Sequence, residues 1–149
     1  MILVDADACP VKEEVYKVAR RYGVAVRLVA NAYMRVPRED LISLEVVSDA
    51  FDAADDRIVE LVSSDSVVVT ADILLADRCL KAGAETVLAP NGKPFTADMI
   101  GGAIATRAIM ADLRGGGDQV GGPPPFTKQD RSRFLSALDT ALVKLRQSK

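Results

Sequence analysis

Histidine is absent from this chain of 149 residues. Its absence excludes Ser-His-Asp and Cys-His nucleophiles, zinc sites with imidazole ligands, and acid–base catalysis by imidazole. Any chemistry must therefore come from carboxylates, hydroxyls, thiols, basic side chains or a bound metal.

Cysteines, aromatic residues and long apolar runs are also scarce. Two cysteines are too few for a disulfide framework, which is typical of a reducing compartment. Tryptophan is missing and aromatic residues make up only 5%, which disfavours binding of nucleic acid through many stacked bases. No apolar run approaches the ~20 residues of a membrane span, and no basic and then apolar leader opens the chain. We therefore expect a cytoplasmic protein without a membrane partner, and the composition does not predict an oligomeric state.

Charge is present but unevenly distributed, within a formal net charge of −2. Residues 1–75 contain 14 acidic and 8 basic residues (−6), whereas residues 76–149 contain 7 and 11 (+4). An acidic first half beside a basic second half suits a metal site flanked by an anion-binding surface, and ordinary surface variation explains it equally well.

Short β-branched segments alternate with amphipathic segments along the chain. The pattern predicts strands at 2–5, 25–30, 44–47, 66–70 and 86–89, and helices at 10–22, 52–63, 74–82, 97–113 and after Thr127. Residues 31–40 are predicted as a loop that leads into a short helical turn. This alternation predicts an α/β fold with a mainly parallel sheet covered on both faces. Residues 1–90 form its expected core, and residues 96–149 a helical extension with a Gly/Pro-rich loop at 115–126.

Aspartates cluster where the predicted strands end. The clusters are Asp5 and Asp7 after the first strand, Asp52, Asp55 and Asp56 at the start of a helix, and Asp72 and Asp77 after the strand at 66–70. In a parallel sheet, ligands bind beyond the carboxyl ends of the strands, so the clusters meet if these strands are neighbours. Crowded carboxylates repel one another and raise each other's pKa, and a hard divalent cation removes that difficulty. The sequence therefore predicts a Mg²⁺ or Mn²⁺ site at this edge.

Most of these aspartates also have an ordinary structural explanation, based on helix capping, the helix dipole or local ion pairing. The alternatives are N-caps for Asp7, Asp52 and Asp72, first-turn charges for Asp55 and Asp56, and an ion pair with Lys81 for Asp77. Asp5 has the weakest alternative, because an acid at the end of a buried strand does not improve packing.

Four segments carry a resemblance to a known family. They are VDADACPVK, DAADDRIVE, VVVTADILLADRC and GPPPFTKQDRSRFLSALD. In this order they resemble the YaiI/YqxD family of uncharacterised bacterial proteins over essentially the whole chain. That family is similar to the PIN and NYN nucleases, whose Rossmann-like fold binds Mg²⁺ or Mn²⁺ through strand-end aspartates and cuts RNA or, less often, DNA.

The resemblance implies a single three-layer, PIN-like domain over residues 1–149 and a metal-dependent nuclease that needs no covalent intermediate. The catalytic residues that it implies are Asp5, Asp55, Asp56, Asp72 and Asp77. The implied cation ligands are Asp5, Asp56, Asp72 and Asp77, with Asp7 and Asp52 as possible additions. PIN toxins often carry Glu in the helix where this chain carries Asp, so which of Asp52, Asp55 and Asp56 reaches the metal stays open.

Basic side chains in the second half are the expected contacts to nucleic acid, with RNA favoured over DNA. These candidates are Arg107, Arg114, Lys128 and Arg131, together with the backbone amides of 115–117. Weaker candidates for the site are Asn31, Thr70 and Thr106.

Two other functions compete with a nuclease. A strand followed by Asp-x-Asp is also how haloacid-dehalogenase-like phosphatases present their nucleophile. Those enzymes need a later Thr or Ser, then Lys, then an acidic pair, and this chain lacks that order. The other rival is a binding module for nucleic acid or protein that keeps the acids for structural reasons.

Overall fold

The computed structural model describes residues 1–50, 52–102 and 126–147. In this part of the chain the strands form one five-stranded sheet in the order β3-β2-β1-β4-β5, and every pair is parallel. The strands are β1 (Ile2–Asp5), β2 (Val26–Ala30), β3 (Ile42–Val46), β4 (Val67–Val69) and β5 (Thr86–Leu88). The predicted α/β fold with a parallel sheet is thus confirmed.

Helices cover both faces of the sheet. They are α1 (Lys12–Tyr22), α2 (Ala53–Leu61), α3 (Ile73–Lys81), a helix described over residues 97–102 (α4), and α5 (Lys128–Gln147). The helices α1 and α5 bury one set of strand side chains, and α2 and α3 bury the other. Alternate residues of β1 show both directions, because Ile2 and Val4 lie in the first cluster and Leu3 in the second. This arrangement has the three layers of a Rossmann-like fold.

Capping signals in the sequence fix several helix ends. Gly23 ends α1 in the left-handed conformation, with φ 63°, and its N–H donates to the carbonyl oxygen of Ala19. Thr127 and Asp130 cap α5 reciprocally, since each side chain accepts from the other residue's backbone N–H, at 3.1 and 2.9 Å. The apolar stripe of α5 is buried and consists of Phe134, Leu138, Ala141, Leu142 and Leu145.

Two local predictions need correction. The loop predicted at 31–40 leads into a single turn instead of a helical one, in which the Ile42 N–H donates to the Glu39 carbonyl oxygen at 3.1 Å and the two residues form an isolated antiparallel bridge. The helix α1 begins at Lys12 rather than at Pro10, because a 3₁₀ turn (Ala6–Ala8) comes between β1 and α1. The other described element bounds agree with the prediction to within two residues.

Some predictions fall on undescribed residues. The helix predicted at 97–113 is described only to residue 102, and Thr96 caps it by accepting from the Met99 N–H at 3.2 Å. The remainder of that helix and the Gly/Pro-rich loop up to residue 125 lie outside the described residues. Among the helices that the structure describes, none is long and apolar enough to cross a bilayer.

The chain order of the strands creates a switch point beside β1. The first three strands progress to one side of β1, and β4 and β5 then occupy its other side. At such a reversal the loops leave the carboxyl ends of the two central strands in opposite directions and open a crevice. Here the crevice lies between the ends of β1 and β4, the two strands followed by aspartates.

Candidate functional site

One buried hydroxyl joins the aspartates of β1 and β4. Thr70 follows β4, and its Oγ1 donates to Asp5 Oδ2 at 2.9 Å and accepts from the Asp72 N–H at 3.0 Å. The parallel pairing of Val4 with Val69 places the next residue of each strand at the same edge. Burial raises the pKa of Asp5, the Thr70 hydrogen bond opposes that rise, and the charges of Asp7 and Asp72 add to it. The charge of Asp72 therefore reaches Asp5 across the ends of the two strands.

Asp72 caps α3. Its Oδ1 accepts from the backbone N–H groups of Leu74 and Leu75, at 2.8 and 3.4 Å. The structural alternative for this residue is thus confirmed. Capping also fixes the direction in which the carboxylate points.

Asp7 does not cap α1, so that alternative is wrong. It lies in the 3₁₀ turn, and its Oδ2 accepts from the Asn31 N–H at 2.9 Å, directly after β2. The Asn31 side chain donates in turn to the carbonyl oxygen of Ser48, at 2.9 Å. Asp7 thereby ties the ends of β1 and β2 together at the carboxyl edge of the sheet.

Asp55 faces the same crevice from the first turn of α2. Its pKa is raised to about 6, chiefly by burial and then by the charges of Asp5, Asp72 and Asp52, with Arg78 opposing. Asp52 occupies the N-cap position with φ 64°, but its side chain makes no capping hydrogen bond. It is the one non-glycine residue with positive φ in the described part of the chain. The charges of Asp5 and Asp72 thus reach Asp55 from the ends of β1 and of the turn after β4, and the shared cation site stays a prediction.

Asp56 and Asp77 have basic partners of their own. Asp56 Oδ1 accepts from Arg78 Nη2 at 2.8 Å, across α2 and α3. Asp77 Oδ2 pairs with Lys81 Nζ at 2.8 Å, as the structural alternative proposed. Both carboxylates are therefore partly neutralised without a metal, and their predicted role as cation ligands stays a prediction.

In three carboxylates, one oxygen accepts a hydrogen bond and the other has no partner among the described residues. Asp5, Asp7 and Asp72 use one oxygen for the hydrogen bonds above, and the second oxygen of each has no hydrogen-bond partner among the described residues. The single buried side-chain oxygen or nitrogen without a partner in that part of the chain is Glu14 Oε2. The free oxygens of Asp5 and Asp72 are therefore accessible to solvent and to a ligand.

The described part of the chain contains no ready-made metal cage. Within residues 1–50, 52–102 and 126–147, no three Cys, Asp or Glu side chains are grouped closely enough to hold one metal ion. Mg²⁺, however, keeps several of its waters and is typically bound by one or two carboxylates plus substrate phosphates. The donor set at the switch point consists of hard carboxylate oxygens, so it fits a hydrated Mg²⁺ or Mn²⁺ and not a soft metal.

Of the predicted phosphate contacts, Lys128 and Arg131 belong to the described residues, and neither forms a hydrogen bond or ion pair there with an aspartate of this site. Arg131 donates to the carbonyl oxygen of Pro10 at 2.7 Å, pairs with Glu14 at 3.3 Å and stacks on Phe126, which ties α5 to the start of α1. Lys128 is exposed at the first residue of α5. Arg107, Arg114, Thr106 and the amides of 115–117 lie outside the described residues.

Sequence reasoning missed or undervalued several residues. Thr70 and Asn31 were weak candidates, although each binds an aspartate of the site. Arg78 and Ser48 are not among the residues that the sequence predicts for the site. No local pattern marks Arg78, because its partners Asp55 and Asp56 are on another helix; the position of Thr70 directly after a buried strand was a usable signal.

Comparisons with known proteins place the chain among uncharacterised bacterial proteins. A family model described as "Uncharacterized BCR, YaiI/YqxD family" matches residues 3–144. A UPF0178 protein of Sphingopyxis alaskensis is 68% identical over 148 residues, which cover 99% of this chain and 96% of that protein. A UPF0178 protein of Nitrobacter winogradskyi is 53% identical over 147 residues, which cover 99% of this chain and 93% of that protein. No solved structure matches significantly.

Proposed function

This chain belongs to the YaiI/YqxD family, and from that premise we propose that it is a Mg²⁺- or Mn²⁺-dependent phosphodiesterase that cuts nucleic acid. The observation that carries the proposal is the convergence of Asp5 and Asp72 on the Thr70 hydroxyl at the switch point of the sheet, with the charges of both reaching Asp55. The preference for RNA over DNA rests on the resemblance to PIN and NYN nucleases.

Electrostatic cost supports a cation at this place. Burial and neighbouring aspartates raise the pKa of Asp5 and of Asp55, so ionising these two carboxylates costs more here than in separated positions. Arg78 is the basic side chain that opposes the rise for Asp55, and it is already paired with Asp56. A purely structural arrangement gains nothing from such crowding, whereas a cation site requires it.

Asp5 and Asp72 are the proposed ligands, because each has a fixed carboxylate with one accessible free oxygen. Thr70 orients Asp5, and the α3 backbone orients Asp72. Asp7 and Asp55 lie beside them and add negative charge that favours a divalent ion. When bound, the cation would supply an acidified water and charge stabilisation for a phosphodiester.

A cleavage assay tests the proposal. Fluorescent 20-nucleotide single- and double-stranded RNA and DNA are incubated with Mn²⁺ or with EDTA. We expect cleavage with Mn²⁺ only, and a loss of at least about 100-fold in Asp5→Asn and Asp72→Asn. Asp40→Asn is the matched control, because Asp40 precedes β3 and so lies at the amino ends of the strands, opposite the site. This variant should cut at the wild-type rate.

Two results would contradict a nuclease. Activity that survives EDTA and Asp72→Asn would belong to a contaminant or to other residues. Hydrolysis of phosphomonoesters with fluoroberyllate trapped at Asp5, and no cut oligonucleotide, would indicate the phosphatase instead.

A further inference from the structure

A cleft with basic and aromatic walls lies between α1 and the loop that joins β2 to β3. Its volume is about 600 Å³, within the range of ligand sites in proteins. It is lined by Lys12, Glu13 and Tyr16 of α1 and by Tyr33, Arg35, Val36, Pro37 and Arg38 of the loop. Three cations and one anion give the lining a net positive charge, although the first half of the chain is acidic.

The two loop arginines are unusual in this molecule. Every other arginine in the described part of the chain is in an ion pair or lies over an aromatic ring. Arg35 and Arg38 are exposed and have neither kind of partner there. Their guanidinium groups are therefore available to an anion from outside, and their planar donors suit phosphate.

Tyr33 adds a stacking surface beside these charges. Its side chain is 81% exposed, the highest value among the exposed large hydrophobic residues of the described chain. An aromatic ring left in water next to unpaired arginines is the arrangement by which proteins hold single strands, with bases on the ring and phosphates on the cations.

Both walls of the cleft begin at the carboxylate site. The loop starts at Asn31, whose backbone N–H donates to Asp7 Oδ2, and two residues of chain span at most about 7 Å, so Tyr33 is close to that end. On the other wall, Lys12 Nζ donates to the carbonyl oxygen of Cys9 at 3.1 Å, two residues after Asp7. A strand held in the cleft therefore has one end directed at the aspartates.

We propose that this cleft binds a single strand of nucleic acid and delivers it to the strand-end aspartates. Tyr33 stacks on a base, and Arg35 and Arg38 bind the phosphates that follow. The inference rests on the proposed function, because it names the form of nucleic acid and the residues that the same site would use.

Binding is measured without catalysis. The intact protein is titrated in EDTA into a fluorescein-labelled 12-nucleotide RNA, single-stranded or in a duplex, by fluorescence anisotropy at several salt concentrations. We expect tighter binding of the single strand. Tyr33→Ala should weaken it at least about fivefold, whereas Tyr33→Phe, which keeps the ring, should bind as the wild type does.

Charge is tested through the salt dependence. For single strands, each lost phosphate contact reduces the slope of log K against log salt by about 0.7, so Arg35→Gln/Arg38→Gln should reduce it by about 1.4. Arg133→Gln is the matched control, because Arg133 is exposed on α5 and its one ion pair within the described residues is with Asp130 at 3.3 Å. All variants change exposed side chains, and their melting temperatures verify that they are folded.

The outcomes separate this inference from the proposed function. Three results would each refute the proposed role of the cleft. They are no binding by the wild type, equal binding by Tyr33→Ala and Tyr33→Phe, and an unchanged salt slope in the double variant. If these variants nevertheless cut RNA at the wild-type rate with Mn²⁺, the cleft is wrong and the nuclease stands. If they lose binding as expected and no RNA is ever cut, the cleft stands and the nuclease is wrong.

Discussion

Removing one carboxylate from the crowded site should stabilise the metal-free protein at neutral pH. Asp55→Asn is the best perturbation, since Asp55 has a pKa raised to about 6 by burial and by Asp5, Asp72 and Asp52. In the unfolded chain it returns to its ordinary value of 3.8. Because the folded pKa is the higher one, the cost of ionising Asp55 is absent below about pH 3.8 and complete above about pH 6.

The size of the effect follows from that difference. A rise from 3.8 to about 6 sets a ceiling of about 3 kcal/mol, at 1.36 kcal/mol per pH unit. Solvent screens a carboxylate that is only partly buried, which reduces the cost to about 1–2 kcal/mol. Asparagine also loses the favourable interaction of an acid with the first turn of α2, about 0.3–1 kcal/mol. We therefore expect a net gain of about 1 kcal/mol at pH 8, or about 3 °C in Tm for a chain of this size.

Urea unfolding in EDTA at pH 4 and pH 8 measures this gain in the free energy of unfolding. Asp55→Asn should be more stable than the wild type at pH 8 and equal to it at pH 4, whereas the control Asp40→Asn should match the wild type at both. Adding Mn²⁺ at pH 8 should reverse the order, because the wild type binds the ion better. A gain that is the same at both pH values, or none at pH 8, would refute the charge crowding.

Three further predictions concern the metal, the hydroxyl and the packing of α5. Mn²⁺ should raise the free energy of unfolding, by about 2.7 kcal/mol at a hundred times its Kd; thermal melting should show this rise in the wild type and not in Asp5→Asn. Thr70→Val should cost about 1–3 kcal/mol in urea unfolding, because Asp5 loses its donor, while Thr70→Ser keeps the hydroxyl and should lose less. The Gly92→Ala variant should unfold at a lower urea concentration than the Gly23→Ala variant. Both glycines have positive φ, but a Cβ at Gly92 would lie 2.6 Å from the α5 backbone and one at Gly23 has open space around it; equal losses would disprove that contact.

Local signals predicted the elements well. The strand at 2–5 and the end of α1 at Gly23 are correct to the residue, because burial, a strand-end acid and a left-handed glycine are local features. The caps at Thr96 and Thr127 were likewise predictable from neighbouring residues alone.

The strand order and the partners across the site were not predictable in this way. The position of β4 beside β1 depends on which hydrophobic faces pack together. The sequence alone predicts only that the aspartates meet if these strands are neighbours. The Thr70 bond to Asp5 joins residues 65 apart in the chain, and the Arg78 bond to Asp56 joins residues 22 apart. Such contacts exist only once the layers are packed, so single-residue patterns cannot contain them.

The structural and catalytic interpretations of Asp72 do not exclude each other. Capping occupies Oδ1, and a carboxylate has lone pairs on both oxygens, so Oδ2 stays free for a ligand. The cap even favours a ligand role, because it fixes the side chain at no further entropic cost when the ion binds. Asp72→Asn separates the two roles, since asparagine caps helices as well as aspartate does but has no charge. If the cap were its whole role, this variant would keep both its stability and its affinity for Mn²⁺; we expect it to keep the first and lose the second.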